Sequence, residues 1–378
     1  MLRVSFMIFL IVLICSCNNN ELSQSDSSNE KYIVGYLFPR DSVINAKEIA
    51  VEKLTHINYA FADIKNGEIA IGFKNDSANF SILNQTKQRN PNLKILISVG
   101  GWTWSGQFSD MSLTTESRNK FIESSIRFIQ NYNLDGIDLD WEFPNLEGYG
   151  NVHRPEDKEN FTYLLKELRV ALDKLGEEKD IHYLLTIASG AFEDYLANTE
   201  MGKAQQYLDF INVMAYDMYE SDYDTVAGHH TPLYTNPLDH KKISADAAIQ
   251  MYLQAGVPAE KLVLGVAFYG RAWESASSEN NGLYRQAGPV KKQIRGSFKN
   301  LKQNFENKNG FIRYWDSTSM APYLFNETEK IFITYDDEES LKEKCKYINE
   351  HGLKGAMFWE YSSDYESRLL ITLYNELK

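Results

Sequence analysis

The sequence has few cysteines, and their positions exclude a fold held by disulfide bonds. Only Cys15, Cys17 and Cys345 occur, and the first two lie in the N-terminal segment. Because Cys345 stands alone in the body of the chain, we expect no intramolecular disulfide. We expect Cys345 to be a small buried apolar residue on a helix.

The chain also has fewer basic than acidic residues. The net charge is −13 at pH 7, with 52 acidic residues against 39 basic ones. Such a chain is poorly suited to nucleic acid or to an anionic membrane surface, whereas a neutral polymer is a compatible substrate. No glycine-rich phosphate loop is present, and the adjacent His229 and His230 are poor chelators without further ligands. We therefore expect no nucleic-acid partner, no metal and no cofactor.

Long apolar runs are absent, and the run at the N-terminus is short. Residues 6–14 are apolar and follow Arg3, but a membrane span needs about 20 residues. They predict the core of a signal peptide, residues 1–17. Its end, Ile-Cys-Ser-Cys, resembles a bacterial lipobox, and Cys17 fits the lipidated position better than Cys15. An ordinary secretory signal with incidental cysteines is the alternative.

Residues 18–30 are polar and low in complexity, which predicts a flexible tether. A lipid on Cys17 would leave the protein anchored to a membrane rather than spanning it. We therefore expect an exported monomer, either a lipoprotein at the bacterial cell envelope or a secreted protein.

Short apolar runs alternate with amphipathic segments from residue 31 onward. The apolar runs are Tyr32–Phe38, His56–Ile64, Lys94–Gly101, Gly136–Glu142, His182–Ser189, Phe210–Met218, Leu262–Gly270 and Gly355–Tyr361. The amphipathic segments include Thr114–Tyr132, Pro155–Leu175, Ala245–Gly256 and Glu338–Gly352. Eight strands alternating with helices predict an α/β fold, a parallel (β/α)₈ TIM barrel. Its active site is then expected at the C-terminal ends of the strands.

The seventh and eighth runs are separated by about 84 residues, far more than one helix with its loops needs. The excess, residues 272–333, contains its own strand-like pieces and many aromatic residues. It predicts a small α+β insertion domain on the catalytic face, with a long lid loop as the alternative. The barrel would then comprise residues 31–271 and 334–378.

The fourth run carries a ladder of acidic side chains. Asp138, Asp140 and Glu142 stand at every second position, and residues two apart on a strand point to the same face. Neighbouring carboxylates raise at least one pKa, as a general acid near neutral pH requires. A solvated strand edge is the alternative, but the large apolar residues Ile137 and Trp141 on the opposite face favour catalysis. Asp135 has the wrong parity and is expected to brace the turn into the strand.

Aromatic residues make up 13% of the chain, with 23 tyrosines and six tryptophans. This richness fits a carbohydrate cleft, because rings stack on sugar faces. A single aromatic residue is nevertheless more often part of the core than of a binding site. Thr231 and Asn326 are predicted as surface positions.

Five runs carry motifs that resemble glycoside hydrolase family 18, the chitinase family. The motifs are Asp-x-x-Asp-x-Asp-x-Glu at 135–142, Ser-x-Gly-Gly with Trp-Thr-Trp-Ser at 98–105, Met-Ala-Tyr-Asp-Met at 214–218, Phe-Tyr-Gly-Arg at 268–271, and Gly-Ala-Met-Phe-Trp-Glu at 355–360. The resemblance covers residues 31–378, and the insertion is similar to that of bacterial chitinases with deep clefts.

The resemblance implies a retaining mechanism assisted by the substrate. Glu142 would protonate the glycosidic oxygen while the 2-acetamido carbonyl of the sugar attacks the anomeric carbon. Asp140 would bind the acetamido N–H and stabilise the oxazolinium intermediate, and Asp138 would share a proton with Asp140. Tyr216 would help to orient the acetamido group.

The resemblance also implies a set of substrate-binding residues. Trp359 would form the floor under the sugar, and Gly100 and Gly101 would allow a close backbone approach. The full set is Tyr36, Phe61, Gly100, Gly101, Trp102, Thr103, Phe143, Met214, Ala215, Asp217, Tyr269, Arg271, Trp359 and Glu360.

Three functions fit the motifs. The first is a chitinase that hydrolyses chitin or chitooligosaccharides, endo-acting or exo-acting. The second is an endo-β-N-acetylglucosaminidase on N-glycan cores, whose relatives generally lack the insertion. The third is a non-catalytic chitin-binding lectin, which usually lacks the terminal acid present here as Glu142.

Overall fold

The computed structural model describes residues 30–378, with gaps at 276, 292, 293 and 295. The predicted signal peptide, most of the predicted tether and the predicted lipidation site Cys17 lie outside the described residues. No helix in the described ranges combines the length and the apolar character that a membrane span needs.

The described residues form fourteen strands and ten α-helices. The strands are β1 (Tyr32–Leu37), β2 (His56–Lys65), β3 (Glu68–Ala70), β4 (Lys94–Gly100), β5 (Gly136–Asp140), β6 (Leu184–Gly190), β7 (Phe210–Met214), β8 (Leu262–Ala267), β9 (Gly270–Ser275), β10 (Ala287–Pro289), β11 (Phe311–Asp316), β12 (Ala321–Asn326), β13 (Ile331–Tyr335) and β14 (Gly355–Trp359). The helices are α1 (Asp76–Thr86), α2 (Phe108–Ser112), α3 (Thr115–Tyr132), α4 (Asp157–Lys179), α5 (Glu193–Ala197), α6 (Met201–Ala204), α7 (Ala245–Gln254), α8 (Phe298–Asn304), α9 (Glu338–Glu350) and α10 (Arg368–Leu377).

Eight parallel strands close into a barrel in the order β1-β14-β8-β7-β6-β5-β4-β2, and β1 pairs with β2 to complete it. Each of the eight predicted runs supplies one of these strands, so the predicted TIM barrel is confirmed. Six of the eight runs end earlier than predicted, by one to four residues; β5, for example, stops at Asp140 and β7 at Met214. The difference arises because the chain leaves the sheet there and turns into loops at the C-terminal ends of the strands.

Strand parity places the acidic ladder inside the barrel. Asp138 pairs in register with Ser98 of β4 and Thr186 of β6, and its side chain lies among theirs in the interior. Ile137 and Leu139 point outward into the apolar core between the strands and the helices. The alternation of polar and apolar residues along β5 therefore separates the site from the core.

Four of the ten described helices, α3, α7, α8 and α9, begin at residues whose side chains cap them. The Thr114 hydroxyl accepts from the backbone N–H of Ser117, and the Ser117 hydroxyl accepts from the Thr114 N–H, which caps α3. Asp337 caps α9 in the same way with Ser340. Cys345 lies buried in α9, as predicted.

A five-stranded antiparallel sheet, in the order β10-β9-β13-β12-β11, is inserted between barrel strands β8 and β14. Trp273, Phe325 and Phe332 are buried in a separate apolar cluster of this sheet. The predicted insertion is therefore a packed unit rather than a lid loop. Its sheet runs from Gly270 to Tyr335, slightly wider than residues 272–333, because β9 begins almost immediately after β8.

Two residues predicted at the surface are buried. The Thr231 hydroxyl donates to the carbonyl of Ala215 and accepts from Lys344 Nζ at 2.6 Å. Lys344 also pairs with Asp336 at 2.7 Å, and both side chains are fully buried. Asn326 accepts from the backbone N–H groups of residues 328 and 329 in the turn after β12. The prediction was wrong because polar side chains at loops were assumed to face solvent.

Candidate active site

Asp138 lies at the centre of the barrel and its carboxylate is saturated with hydrogen bonds. Tyr36 Oη and Ser98 Oγ each donate to Oδ2 at 2.7 Å. Thr186 Oγ1 donates to Oδ1 at 2.6 Å and Asn212 Nδ2 at 3.3 Å. Burial raises the pKa of Asp138, and the four hydrogen bonds oppose that rise. Both oxygens of Asp138 accept hydrogen bonds from these four donors, none of which is Asp140. The predicted sharing of a proton between Asp138 and Asp140 therefore stays a prediction.

Asp140, at the end of β5, is 4% exposed, and its Oδ1 has no hydrogen-bond partner among the described residues. Burial raises its pKa well above the usual range, and the charges of Glu142 and Asp138 raise it further. A buried oxygen without a partner is costly. It is therefore available as an acceptor for a group that enters the cleft.

Glu142 follows β5 and faces the cleft. Its backbone N–H donates to Ser105 Oγ at 2.8 Å, which holds this segment in place. Burial raises the pKa of Glu142 to about 8, and the negative charges of Asp217 and Glu220 contribute to the rise. At pH 7 its carboxyl group is therefore mostly protonated, as a general acid must be.

Tyr216 lies in the loop after β7 and is held as a neutral phenol. Its ring packs edge-on against Tyr269, with centroids 6.1 Å apart, and its hydroxyl contacts Met357 Sδ at 3.6 Å. Burial raises the pKa of Tyr216 well above the usual range, and the nearby Asp140 raises it further. The phenol thus remains a hydrogen-bond donor in the cleft.

Asp217, the next residue, has a positive φ of 55°. Its Oδ1 accepts from Arg271 Nε at 2.8 Å and lies 3.5 Å from His230 Nδ1. Burial raises the pKa of Asp217, but the contacts with His230 and Arg271 outweigh burial and bring it below the usual range. Asp217 is therefore an ionised neighbour of the protonated Glu142.

A group of aromatic rings lies at the C-terminal ends of β1, β2 and β14. Trp359 stacks on Phe61 at 5.6 Å between ring centroids, and it contacts Tyr36 at 5.7 Å and Phe38 at 5.5 Å. Phe61 occupies an irregularity in β2, where the pairing with β4 shifts by one residue. Such a bulge re-aims a side chain, and here it places Phe61 in the cleft.

The cleft has a volume of about 1080 Å³. The predicted site residues that line it are Tyr36, Phe61, Trp102, Thr103, Asp140, Glu142, Phe143, Met214, Tyr216, Asp217, Tyr269, Arg271 and Trp359. Asp138 lies behind this surface. Asp135 pairs with Lys87 and accepts from the backbone N–H of Ile95, in agreement with its predicted structural role.

Four predicted substrate contacts do not line the cleft. Ala215 is fully buried behind it. The Glu360 carboxylate accepts from Ser362 and Ser363 and caps a short 3₁₀ helix. Gly100 and Gly101 have φ values of +103° and +79°, and a Cβ there would meet protein atoms at 2.4 Å and 2.6 Å. The structure shows their close approach to the Asp140 carbonyl and the Phe61 ring, and a contact with substrate stays a prediction.

The cleft also contains residues that the sequence reasoning missed. They are Phe38, Arg40, Phe73, Trp104, Ala188, Gly190, Ala191, Phe192, Met218, Glu220, Asp222, Tyr223, Lys241 and Ile243. The sequence could have indicated two of them. Phe38 ends the first predicted strand, and Trp104 belongs to the motif at residues 98–105. Glu220, Asp222 and Lys241 lie on the long connection between β7 and α7, which carries no pattern that singles them out.

The two adjacent histidines serve different neighbours. His229 Nε2 lies 3.2 Å from Asp316 in the insertion, whereas His230 faces Asp217. In the part of the chain that the structure describes, no group of three or more histidine, cysteine or acidic side chains could hold a metal ion.

A parallel barrel with a carboxylic acid of raised pKa at the C-terminal ends of its strands, in a cleft lined by aromatic rings, is the arrangement expected of a glycoside hydrolase. A family model described as "Glycosyl hydrolases family 18" matches residues 25–364. The chain belongs to this family, and the resemblance drawn from its motifs is confirmed.

Named relatives and solved structures are similar over most of the chain. Chitinase A1 of Niallia circulans is 40% identical over 417 residues, which cover 94% of this chain and 59% of that protein. Chitotriosidase-1 of Mus musculus is 36% identical, with 86% of this chain and 69% of that protein covered. A solved family 18 N-acetylglucosaminidase from Paenibacillus barengoltzii is 43% identical with a TM-score of 0.85, covering 92% of this chain and 100% of that one. The chain thus spans less than two thirds of chitinase A1.

Proposed function

We propose that the protein is a chitinase, which hydrolyses β-1,4 bonds between N-acetylglucosamine residues of chitin or chitooligosaccharides in polysaccharide catabolism. The observation that carries the proposal is the pair formed by a protonated Glu142 and a buried Asp140 whose Oδ1 has no partner among the described residues. Glu142 supplies a proton to the glycosidic oxygen. Asp140 offers the acceptor that an acetamido N–H requires.

The same geometry supports retention with help from the substrate. Tyr216 and the ionised Asp217 stand beside Glu142 in the cleft, where they orient the 2-acetamido group so that its carbonyl attacks the anomeric carbon. Trp359 and Phe61 present apolar rings to the sugar face. The names of chitinase A1 and chitotriosidase-1 support the choice of chitin as the substrate.

The test is turnover and binding by Glu142→Gln and Asp140→Asn. We expect Glu142→Gln to lose hydrolysis of N-acetylglucosamine hexamers by about 10³-fold or more while it still binds them in calorimetry. Asp140→Asn should lower kcat strongly in a folded protein. Glu279→Gln, which changes an exposed carboxylate of the insertion paired with Arg285, is the control. Full turnover by Glu142→Gln would remove Glu142 from the acid role.

Product analysis tests the finer points. NMR of the first product should show the β-anomer if configuration is retained, and the α-anomer would refute assistance by the substrate. Products of mixed length would indicate internal cleavage, whereas release of one constant short unit would indicate action at chain ends.

We also propose that the protein is exported and anchored through a lipid on Cys17, which rests on the Ile-Cys-Ser-Cys pattern alone. Cys17→Ser should move the protein from the membrane fraction to the soluble fraction, whereas Cys15→Ser should leave it with the membranes. Membrane association of Cys17→Ser would refute lipidation at this residue.

A further inference from the structure

Glu220 lies in the connection between β7 and α7, on the wall of the same cleft as Glu142. Its carboxylate pairs with Arg271 Nη2 at 3.0 Å. The same guanidinium group donates through Nε to Asp217 at 2.8 Å. Arg271 is thus held between two carboxylates, of which the site described above uses only Asp217.

The position of Glu220 is built into the connection. Its backbone N–H donates to Asp224 Oδ2 at 2.8 Å, and its carbonyl accepts from the Asp224 N–H at the same distance. Asp224 in turn pairs with Lys241 at 2.5 Å, and Lys241 donates to the carbonyl of Met218 at 3.2 Å. These contacts close a turn that presents the Glu220 side chain to Arg271.

The charged groups around Glu142 come from three parts of the fold. Asp140 is the last residue of β5. Asp217 and Glu220 lie in the connection after β7, and Arg271 lies in β9. A guanidinium group free to approach Glu142 would favour its ionised form and remove the proton that catalysis needs. The pairing with Asp217 and Glu220 gives Arg271 two other acceptors.

We propose that Glu220 is a positioning residue for the general acid: its charge holds Arg271 against Asp217 and opposes ionisation of Glu142, so that Glu142 keeps its proton at neutral pH. This inference rests on the proposed function, in which Glu142 is the proton donor. It assigns a role to a carboxylate that no sequence motif marked.

The electrostatics of the cleft agree with this arrangement. After burial, the charges of Asp217 and Glu220 are the causes that raise the pKa of Glu142 to about 8. Burial and Asp217 raise the pKa of Glu220 to about 7, Arg271 opposes them, and Asp222 and Asp224 add to the rise. A negative charge on Glu220 therefore opposes the ionisation of Glu142.

The experiment compares Glu220→Gln and Glu220→Ala with the wild type. Glutamine keeps the shape of the side chain and an oxygen for Arg271 but has no charge, whereas alanine removes both. The basic limb of kcat/KM on N-acetylglucosamine hexamers is measured from pH 6 to 10. The titration of the Glu142 carboxyl is followed independently by ¹³C NMR, with its signal assigned by its loss in Glu142→Gln.

Both variants should move the basic limb and the Glu142 titration to lower pH by about 0.3–1 unit. A shift of this size is the order expected for the loss of one nearby charge in a medium with an effective dielectric constant of about 20–80. At pH values above the basic limb, kcat/KM of both variants should be about 2–10-fold lower than that of the wild type. The control Glu279→Gln removes a carboxylate from an exposed arginine pair outside the cleft and should move neither.

The proposal would be overturned if Glu220→Gln left both the basic limb of kcat/KM and the titration of Glu142 at their wild-type pH. A shift in Glu220→Ala alone would also overturn it, because contact with Arg271 rather than charge would then be responsible. If the wild type failed to hydrolyse chitin oligomers, the proposed function would fail, and the ¹³C titration would still decide the role of Glu220.

Discussion

The raised pKa of Glu142 should lower the free energy of unfolding at neutral and basic pH, and the substitution Glu142→Gln should reveal this cost. Its pKa rises from an ordinary 4.5 to about 8 in the folded protein. Between these two pH values the unfolded chain has lost the proton and the folded protein still binds it. Because the unfolded state binds fewer protons, the free energy of unfolding declines as pH rises through this window.

The size of the effect follows from the shift. One pKa unit corresponds to about 1.36 kcal/mol, so the difference of 3.5 units, 8 minus 4.5, sets an upper limit of about 5 kcal/mol. Water in the open cleft screens the charge, which reduces the expected effect to about 2–4 kcal/mol at pH 8. Glu142→Gln has no proton to lose and avoids this cost.

Urea unfolding of the wild type and Glu142→Gln at several pH values between 5 and 9 measures the difference. We expect the two proteins to be nearly equal near pH 5 and the variant to become more stable as pH rises to 8, with unchanged m-values. Glu279→Gln, at an exposed carboxylate, serves as the control and should show no such divergence. A difference that does not depend on pH, or a variant less stable than the wild type at pH 8, would refute the reasoning.

Three further predictions concern activity and packing. The basic limb of the wild-type kcat/KM profile should fall near pH 8, since Glu142 must be protonated to act; a limb near pH 5 would contradict this. Lys344→Met should lower the free energy of unfolding by about 3–5 kcal/mol, because it leaves Asp336 as an unpaired buried charge. The double variant Lys344→Met/Asp336→Ala should recover part of this loss in urea titrations, and no recovery would argue against an electrostatic cause. Gly100→Ala should lower kcat by about 10²-fold, since its Cβ would stand 2.4 Å from the Asp140 carbonyl; normal kinetics would show that the backbone relaxes without moving Asp140.

The barrel was readable from the sequence because its periodicity is local. Each apolar run of seven to nine residues corresponds to one strand of the barrel, and the alternation along β5 correctly divided Asp138 from Ile137. The insertion was readable from an excess of length and aromatic residues. Strand ends were less accurate, since the residues after Asp140 and Met214 remain apolar or aromatic although the chain has left the sheet.

Contacts across loops were not readable in this way. Glu360 belongs to a motif, yet its carboxylate caps the next turn through Ser362. Thr231 was predicted at the surface because nothing near it in sequence indicates that Lys344, 113 residues away, donates to it. The contact of Glu360 is local, whereas the partner of Thr231 depends on how the chain returns, which no local pattern records.

The acidic ladder shows what the sequence determines by itself and what depends on the tertiary structure. Strand parity, a property of consecutive residues, is enough to put Asp138 and Asp140 on one face, and Glu142 lies in the loop just after the strand. The state of each carboxyl group depends on distant donors and charges: Asp138 binds donors 40 to 102 residues away, and Glu142 is protonated because burial, Asp217 and Glu220 oppose its charge. These groups meet because barrel closure brings the C-terminal ends of all eight strands to one surface, and long-range packing of this kind sets the electrostatics of the site.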